Sequence, residues 1–159
     1  MDQLGFRLYL ITDRAASARP PVDVVEECLA AGLRAVQLRE KDLEVRPLLA
    51  MARALREATR AHGARLLIND RADVALAAGA DGVQRTHTSL PVAALRAITP
   101  AGFLVGASTH SLAEARRAES DGPTSSSSAP STTRRPSAPT GHRRGCPRWS
   151  RSRARSPVR

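Results

Sequence analysis

Three short apolar segments run directly into polar, mostly charged residues, with no turn residue between. With the polar residues that follow them, they are Leu66–Arg71, Leu8–Arg14 and Ala35–Asp42. Apolar runs this short are typical of strands buried on both faces. Since α/β folds gather their chemistry at the carboxyl ends of such strands, the three segments predict one polar rim.

Strand-like and helix-like segments alternate along the chain five times, up to about Gly122. The predicted strands are 7–12, 35–39, 65–68, 82–84 and 103–107, and the predicted helices are 22–31, 45–62, 72–78, 91–98 and 111–120. Consecutive strand–helix units imply a parallel sheet. We therefore expect an α/β fold of the (β/α)8 TIM-barrel type, truncated to about five units. An open doubly wound sheet is the alternative.

Composition changes abruptly at Gly122 and divides the chain into a predicted barrel part, 1–122, and a tail, 123–159, that is rich in Ser, Pro and Arg. The net charge is +10, and the tail holds nine Arg and no acidic residue, which leaves +1 for residues 1–122. A segment this poor in apolar residues cannot offset the entropy of ordering, so we expect it to be disordered. The basicity belongs to the tail, not to the predicted barrel.

The cellular compartment is predicted from features that the sequence lacks. The chain has two cysteines, too few for a disulfide framework, which favours a reducing cytoplasm. No apolar run is long enough to cross a membrane, and the N-terminus lacks the pattern of a signal peptide. We expect a cytoplasmic protein with neither a membrane nor a nucleic-acid partner. The alternative, a nucleic-acid-binding protein, rests on the basic tail and on Trp149.

Taken together, several motifs resemble the thiamine phosphate synthase family, which includes the related thiazole tautomerases. They are Leu8–Asp13, Gln37–Lys41, Leu67–Arg71, Ala80–Val83 and Gly106–Ser111. The resemblance covers residues 7–122, roughly the first half of a barrel. It implies a cytoplasmic, Mg²⁺-dependent transferase that joins hydroxymethylpyrimidine diphosphate to thiazole phosphate and releases diphosphate. A homo-oligomer is compatible with the intact relative.

Site residues follow from the resemblance position by position. The residues that match the binding site for the phosphorylated substrates are Gln37, Arg39, Glu40, Lys41, Asn69 and Ser108. Asp70 matches a magnesium ligand. Arginine can grip phosphate oxygens as a fork, and lysine acts as a point charge. Residues 37, 39 and 41 are alternate residues of one predicted strand, so we expect them to point to the same side, which suits a shared ligand.

One stretch departs from the synthase pattern. The family continues after Gly82-Val83 with His, an apolar residue and Gly-Gln-Asp/Glu-Asp, whereas this chain has Gln84-Arg85-Thr86-His87-Thr88-Ser89. Ser89 thus stands where the second magnesium ligand is expected. The stretch is closer to the tautomerase branch, in which a residue matching His110 is the expected catalytic acid–base group. A thiazole tautomerase is therefore the alternative activity.

Simpler structural interpretations exist for the same residues. Asn69-Asp70 would also serve as a cap for the following helix. Arg39, Glu40 and Lys41 would also suit a solvated loop with local ion pairs, and His110 a helix cap.

The tail also has a genetic interpretation, in which its codons are read one base out of frame. If Ser125–Ser128 use TCN codons, the shifted codons encode four apolar residues, and these fall where the family has its sixth strand. In that case the chain lacks the family's later Thr-Pro-Ser-Lys segment, which binds phosphate, and we expect it to be inactive. Sequencing across the Gly122 codon tests this hypothesis.

Overall fold

Five parallel strands form one sheet in the order β1-β2-β3-β4-β5, the order of the chain. The computed structural model describes residues 6, 8–86, 88–108 and 116. The strands are β1 Leu10–Ile11, β2 Ala35–Leu38, β3 Arg65–Asn69, β4 Gly82–Arg85 and β5 Leu104–Ala107. Sequential order without reversal is the winding of a barrel. It excludes the doubly wound alternative, in which the strand order reverses at a switch point.

Four helices connect the strands, and a short 3-10 helix follows β1 at Arg14–Ala16. They are α1 Pro21–Ala30, α2 Val45–Ala61, α3 Ala72–Ala78 and α4 Val92–Ile98. Gly79 ends α3 in the left-handed conformation, with φ of 64°, which glycine adopts without steric cost. The helix predicted at 111–120 and the predicted tail lie outside the described residues, apart from Arg116.

The apolar core lies between the helices and one face of the sheet. Alternate strand residues enter it, among them Val36, Leu38, Leu66 and Ile68. Because successive side chains in a strand point to opposite faces, the intervening residues lie on the other face, which we call the inner face. Gln37 is one of them. Any polar chemistry of the strands is therefore confined to the inner face and to the rim at its carboxyl end.

The predicted order of strands and helices is confirmed across the described residues, with differences at the ends. β1 is shorter than expected, since only Leu10 and Ile11 pair with β2. The Thr12 backbone N–H still donates to the Gln37 carbonyl (2.9 Å), and its hydroxyl accepts from the Arg39 backbone N–H (3.0 Å). Asp13 caps the 3-10 helix by accepting from Ala15 N–H (3.1 Å).

Candidate functional site

Polar side chains cross the inner face at the carboxyl ends of four adjacent strands. Gln37 of β2 donates from Nε2 to Asn69 Oδ1 (2.9 Å), and Gln84 of β4 donates from Nε2 to Ser108 Oγ (3.1 Å). Asn69 and Gln84 are direct neighbours in the register of β3 and β4. We call Gln37, Asn69, Gln84 and Ser108 the amide row. Its three amides offer hydrogen-bond donors and acceptors and carry no charge.

Asp70 follows the amide row and adopts a backbone conformation that is uncommon for its type. Its φ is 63°, in the left-handed region that non-glycine residues rarely occupy, although Asp and Asn enter it more often than others. Its carboxylate accepts a hydrogen bond from the Ser89 hydroxyl. The Ser89 oxygen in turn accepts from the Thr86 backbone N–H (2.7 Å). The structure thus brings the predicted metal ligand together with the residue that replaces its expected partner.

The interpretation of Asn69-Asp70 as a helix cap is wrong. The residue at the N-cap of α3 is Arg71, and no side chain makes a capping hydrogen bond there. The Asn69 oxygen instead accepts from Gln37, and Asp70 accepts from Ser89. Both side chains are thus held at the rim by long-range contacts and not by the helix that follows them.

Glu40 is the most enclosed charged group of the rim, with 2% of its side chain exposed. Both of its carboxylate oxygens accept from the Arg14 backbone N–H, at 3.2 and 3.1 Å. The Arg14 guanidinium lies 3.9 Å from Glu40 and also pairs with Asp42. The hydrogen bond from Arg14 holds the pKa of Asp42 below its usual range. These contacts tie the loop after β1 to the loop after β2.

Arg39 and Lys41 flank Glu40, and among the described residues neither makes an ion pair. The nearby acidic residues Glu40 and Asp42 both form ion pairs with Arg14 instead. The prediction that the strand continues to Arg39 is wrong, because β2 ends at Leu38, Arg39 N–H bonds Thr12, and Lys41 lies in an exposed turn. Alternation along a strand therefore does not relate Lys41 to Gln37.

Two residues of the site were not singled out by the sequence analysis. Gln84 carries the same pattern as Gln37, a polar residue within a buried strand, and this pattern could have identified it. Arg14 carried no local indication of its contacts with Glu40. His110, the predicted acid–base residue, and His87 lie outside the described residues.

The donor groups at the rim fit a magnesium ion held partly by substrate. Among the described residues, no group of three or more His, Cys, Asp or Glu side chains could hold a metal. Asp70 supplies one carboxylate on an exposed residue, and Ser89 adds no charge. Mg²⁺ is commonly bound by one or two carboxylates together with phosphate oxygens and water. The site therefore fits a metal that shares its ligands with a phosphorylated compound.

Comparisons with known proteins agree with the motifs. A family model described as thiamine monophosphate synthase matches residues 8–154, a range that extends beyond the composition change at Gly122. A Geobacter sulfurreducens protein, provisionally named a thiamine-phosphate synthase, is 52% identical over 77% of this chain and 58% of its own length. The thiamine-phosphate synthase of Gloeobacter violaceus is 48% identical over 73% of this chain and 33% of its own.

A solved structure is similar as well. The thiamine phosphate pyrophosphorylase of Pyrococcus furiosus has a TM-score of 0.67 and 40% identity, over 72% of this chain and 55% of that chain. The chain spans about half the length of the curated relatives it matches. In the part of the chain that the structure describes, no helix is long and apolar enough to cross a membrane.

Proposed function

This chain belongs to the thiamine monophosphate synthase family, and we propose that its rim forms the pyrimidine-diphosphate half of a synthase site in thiamine biosynthesis. The full reaction would be a transfer that joins hydroxymethylpyrimidine diphosphate to thiazole phosphate and releases diphosphate. The observation that carries the proposal is the pairing of charges at the rim. Glu40 and Asp42 both contact Arg14, and in the part of the chain that the structure describes neither makes an ion pair with Arg39 or Lys41, which leaves these two cations available for an anion.

Within this proposal the rim residues have separate tasks. Arg39 and Lys41 bind the diphosphate and stabilise the negative charge that grows on it as it leaves. Gln37, Asn69 and Ser108 contact the substrate through neutral hydrogen bonds. Asp70 would hold Mg²⁺ jointly with the diphosphate, and the ion would supply further charge neutralisation. The Glu40 carboxylate is buried and is held by the Arg14 backbone N–H. We propose that this anchor fixes the backbone at Glu40 and so positions the adjacent Arg39 and Lys41.

Calorimetric titration with inorganic diphosphate in the presence of Mg²⁺ tests the proposal. We expect Arg39→Ala and Lys41→Ala each to weaken binding about tenfold or more, the effect of one charge-assisted hydrogen bond. Arg53→Ala is the matched control, because it removes the same charge from an exposed position on α2. Absence of diphosphate binding by the unmodified chain, or equal losses in all three variants, would contradict the proposal.

Turnover is a separate question from binding. We propose that this chain forms no thiamine phosphate, because after Gly122 its sequence lacks the family's Thr-Pro-Ser-Lys segment. His110 remains a proposed acid–base residue. A cytoplasmic location and the small phosphorylated substrates are likewise part of the proposal, supported by family membership and by the low cysteine content.

A further inference from the structure

Gln84 is a polar side chain enclosed on the inner face of the sheet, where only 6% of the residue is exposed. Its neighbour Val83 points to the opposite face and packs in the apolar core. Burying a carboxamide is costly unless its hydrogen bonds are made. The carboxamide of Gln84 therefore needs hydrogen-bond partners, and the described residues satisfy only some of its hydrogen-bonding groups.

The carboxamide of Gln84 has unused hydrogen-bonding capacity among the described residues. One N–H of Nε2 is donated to Ser108 Oγ (3.1 Å). A carboxamide has two N–H donors and an oxygen acceptor, so one donor and Oε1 are left for a ligand. Oε1 has no partner among the described residues, yet it is not one of the fully buried side-chain atoms left without one, so it can be reached from outside.

Gly106 provides the space in which this carboxamide lies. Gly106 is the register partner of Gln84 on β5. A Cβ added at Gly106 would overlap Oε1 of Gln84 and come within 3.0 Å of its Cδ. The absence of a side chain at residue 106 thus lets the amide lie across β5 instead of being pushed out of the sheet.

The amide row and the rim cations present two different chemistries side by side. Arg39 and Lys41 suit a diphosphate, which is anionic. Neutral amides suit a heterocycle, whose ring nitrogens and substituents exchange hydrogen bonds without a net charge. Among the described residues, the Gln37 amide donates to Asn69 (2.9 Å) and the Gln84 amide donates to Ser108 (3.1 Å).

We propose that Gln84 is a specificity-determining residue whose carboxamide hydrogen-bonds the pyrimidine ring, held in place by Ser108 and by the space at Gly106. This inference rests on the proposed function. It assigns recognition of the ring to a residue separate from the cations that bind the diphosphate. Loss of Gln84 should therefore affect ligands that contain the ring and spare inorganic diphosphate.

The test compares hydroxymethylpyrimidine diphosphate with inorganic diphosphate, each titrated with Mg²⁺ into the full chain and its variants. Gln84→Met keeps the length and packing of the side chain but removes its hydrogen bonds. We expect it to weaken binding of the pyrimidine compound about tenfold. Binding of inorganic diphosphate should stay within about twofold of the unmodified chain.

Gly106→Ala offers an independent perturbation, because its methyl group displaces Gln84 without changing any polar atom. It should cause a similar selective loss. In the double variant with Gln84→Ala the methyl group has space, so the two losses should not add. Thermal unfolding of every variant shows whether the fold is intact, and Gln84→Met still decides the question if the glycine variant does not fold.

Each outcome bears on the inference. A selective loss in Gln84→Met supports it. Retention of pyrimidine affinity by Gln84→Met would show that the residue only fills space, and would overturn the inference while leaving diphosphate binding and the proposed function standing. Equal loss for both ligands would also overturn it. If the unmodified chain binds neither compound, the proposed function fails and the inference fails with it.

Discussion

At the scale of single residues, Tyr9 is the group whose environment is easiest to observe. Its hydroxyl is buried and finds no hydrogen-bond partner among the described residues, and its ring stacks on Phe6 with centroids 6.0 Å apart. Burial without a partner disfavours the charged phenolate, so the pKa of Tyr9 is raised above its ordinary value. It is the only tyrosine of the chain, so its ionisation can be followed without interference.

The prediction for Tyr9 concerns alkaline pH. The unfolded state loses the phenol proton near pH ~10, whereas the folded state keeps it to higher pH, so stability should fall as pH rises above that value. We expect the tyrosinate absorbance at 295 nm to appear only well above pH ~10 in the folded protein. Tyr9→Phe should remove this slope and leave neutral-pH stability equal or higher, by up to ~1 kcal/mol. A normal titration near pH ~10 would contradict the burial of the hydroxyl.

At the scale of secondary-structure elements, Asp81 joins the ends of the strands opposite to the rim. Its carboxylate pairs with Arg56 of α2 (2.7 Å) and Arg65 of β3 (3.0 Å) and accepts from the Leu66 backbone N–H (2.9 Å). Its backbone carbonyl accepts from Leu104 N–H of β5 (2.9 Å). Only 10% of the side chain is exposed, so Asp81 is a nearly buried link between α2, β3 and β5.

We predict that Asp81→Ala destabilises the fold by about 3 kcal/mol, because it leaves Arg56 partly buried without its counter-charge. Asp73→Ala is the control. It removes an ion pair with Arg71 in which the aspartate side chain is 62% exposed, and should cost less than ~1 kcal/mol. Urea unfolding measures both changes. Equal effects of the two substitutions would show that the Asp81 link contributes no more than a surface pair.

At the scale of the whole molecule, charge is divided between two parts of the chain. Residues 123–159 hold nine Arg and no acidic residue, whereas the part before them is nearly neutral. Binding of any nucleic acid should therefore depend on the tail and weaken steeply with salt, as expected for phosphate contacts. Diphosphate binding should instead depend on Arg39 and Lys41.

Removal of residues 123–159 tests this division of charge. We expect it to abolish any salt-dependent binding to duplex DNA that the full chain shows by fluorescence anisotropy, and to leave the affinity for inorganic diphosphate within about twofold. The full chain with Lys41→Ala should show the opposite pattern. Loss of diphosphate affinity on tail removal would contradict the assignment of the anion site to the rim.

Much of the fold could be predicted because it depends on local patterns. Short apolar strands alternate with amphipathic helices, and this alternation predicts a parallel sheet whatever the side-chain details. The order of the strands, which excludes a doubly wound sheet, came from the structure. The same patterns placed Asn69-Asp70 at the end of its strand, whereas Gln37, which lies within a strand, was identified by the family resemblance. The boundary at Gly122 remains a prediction from composition, and the shifted reading frame of the tail remains a prediction from the genetic code and the family pattern.

Tertiary structure alone decided which partners these residues have. Arg14 meets Glu40 across 26 positions of sequence, and this pairing leaves the neighbouring cations Arg39 and Lys41 free of the acids beside them. Gly106 makes room for Gln84 only because β4 and β5 are paired in a particular register. The spacing of apolar and polar residues is visible in the sequence, because it depends on each residue's own side chain. Contacts between residues far apart in the sequence depend on distances between strands and helices, which only the folded structure determines.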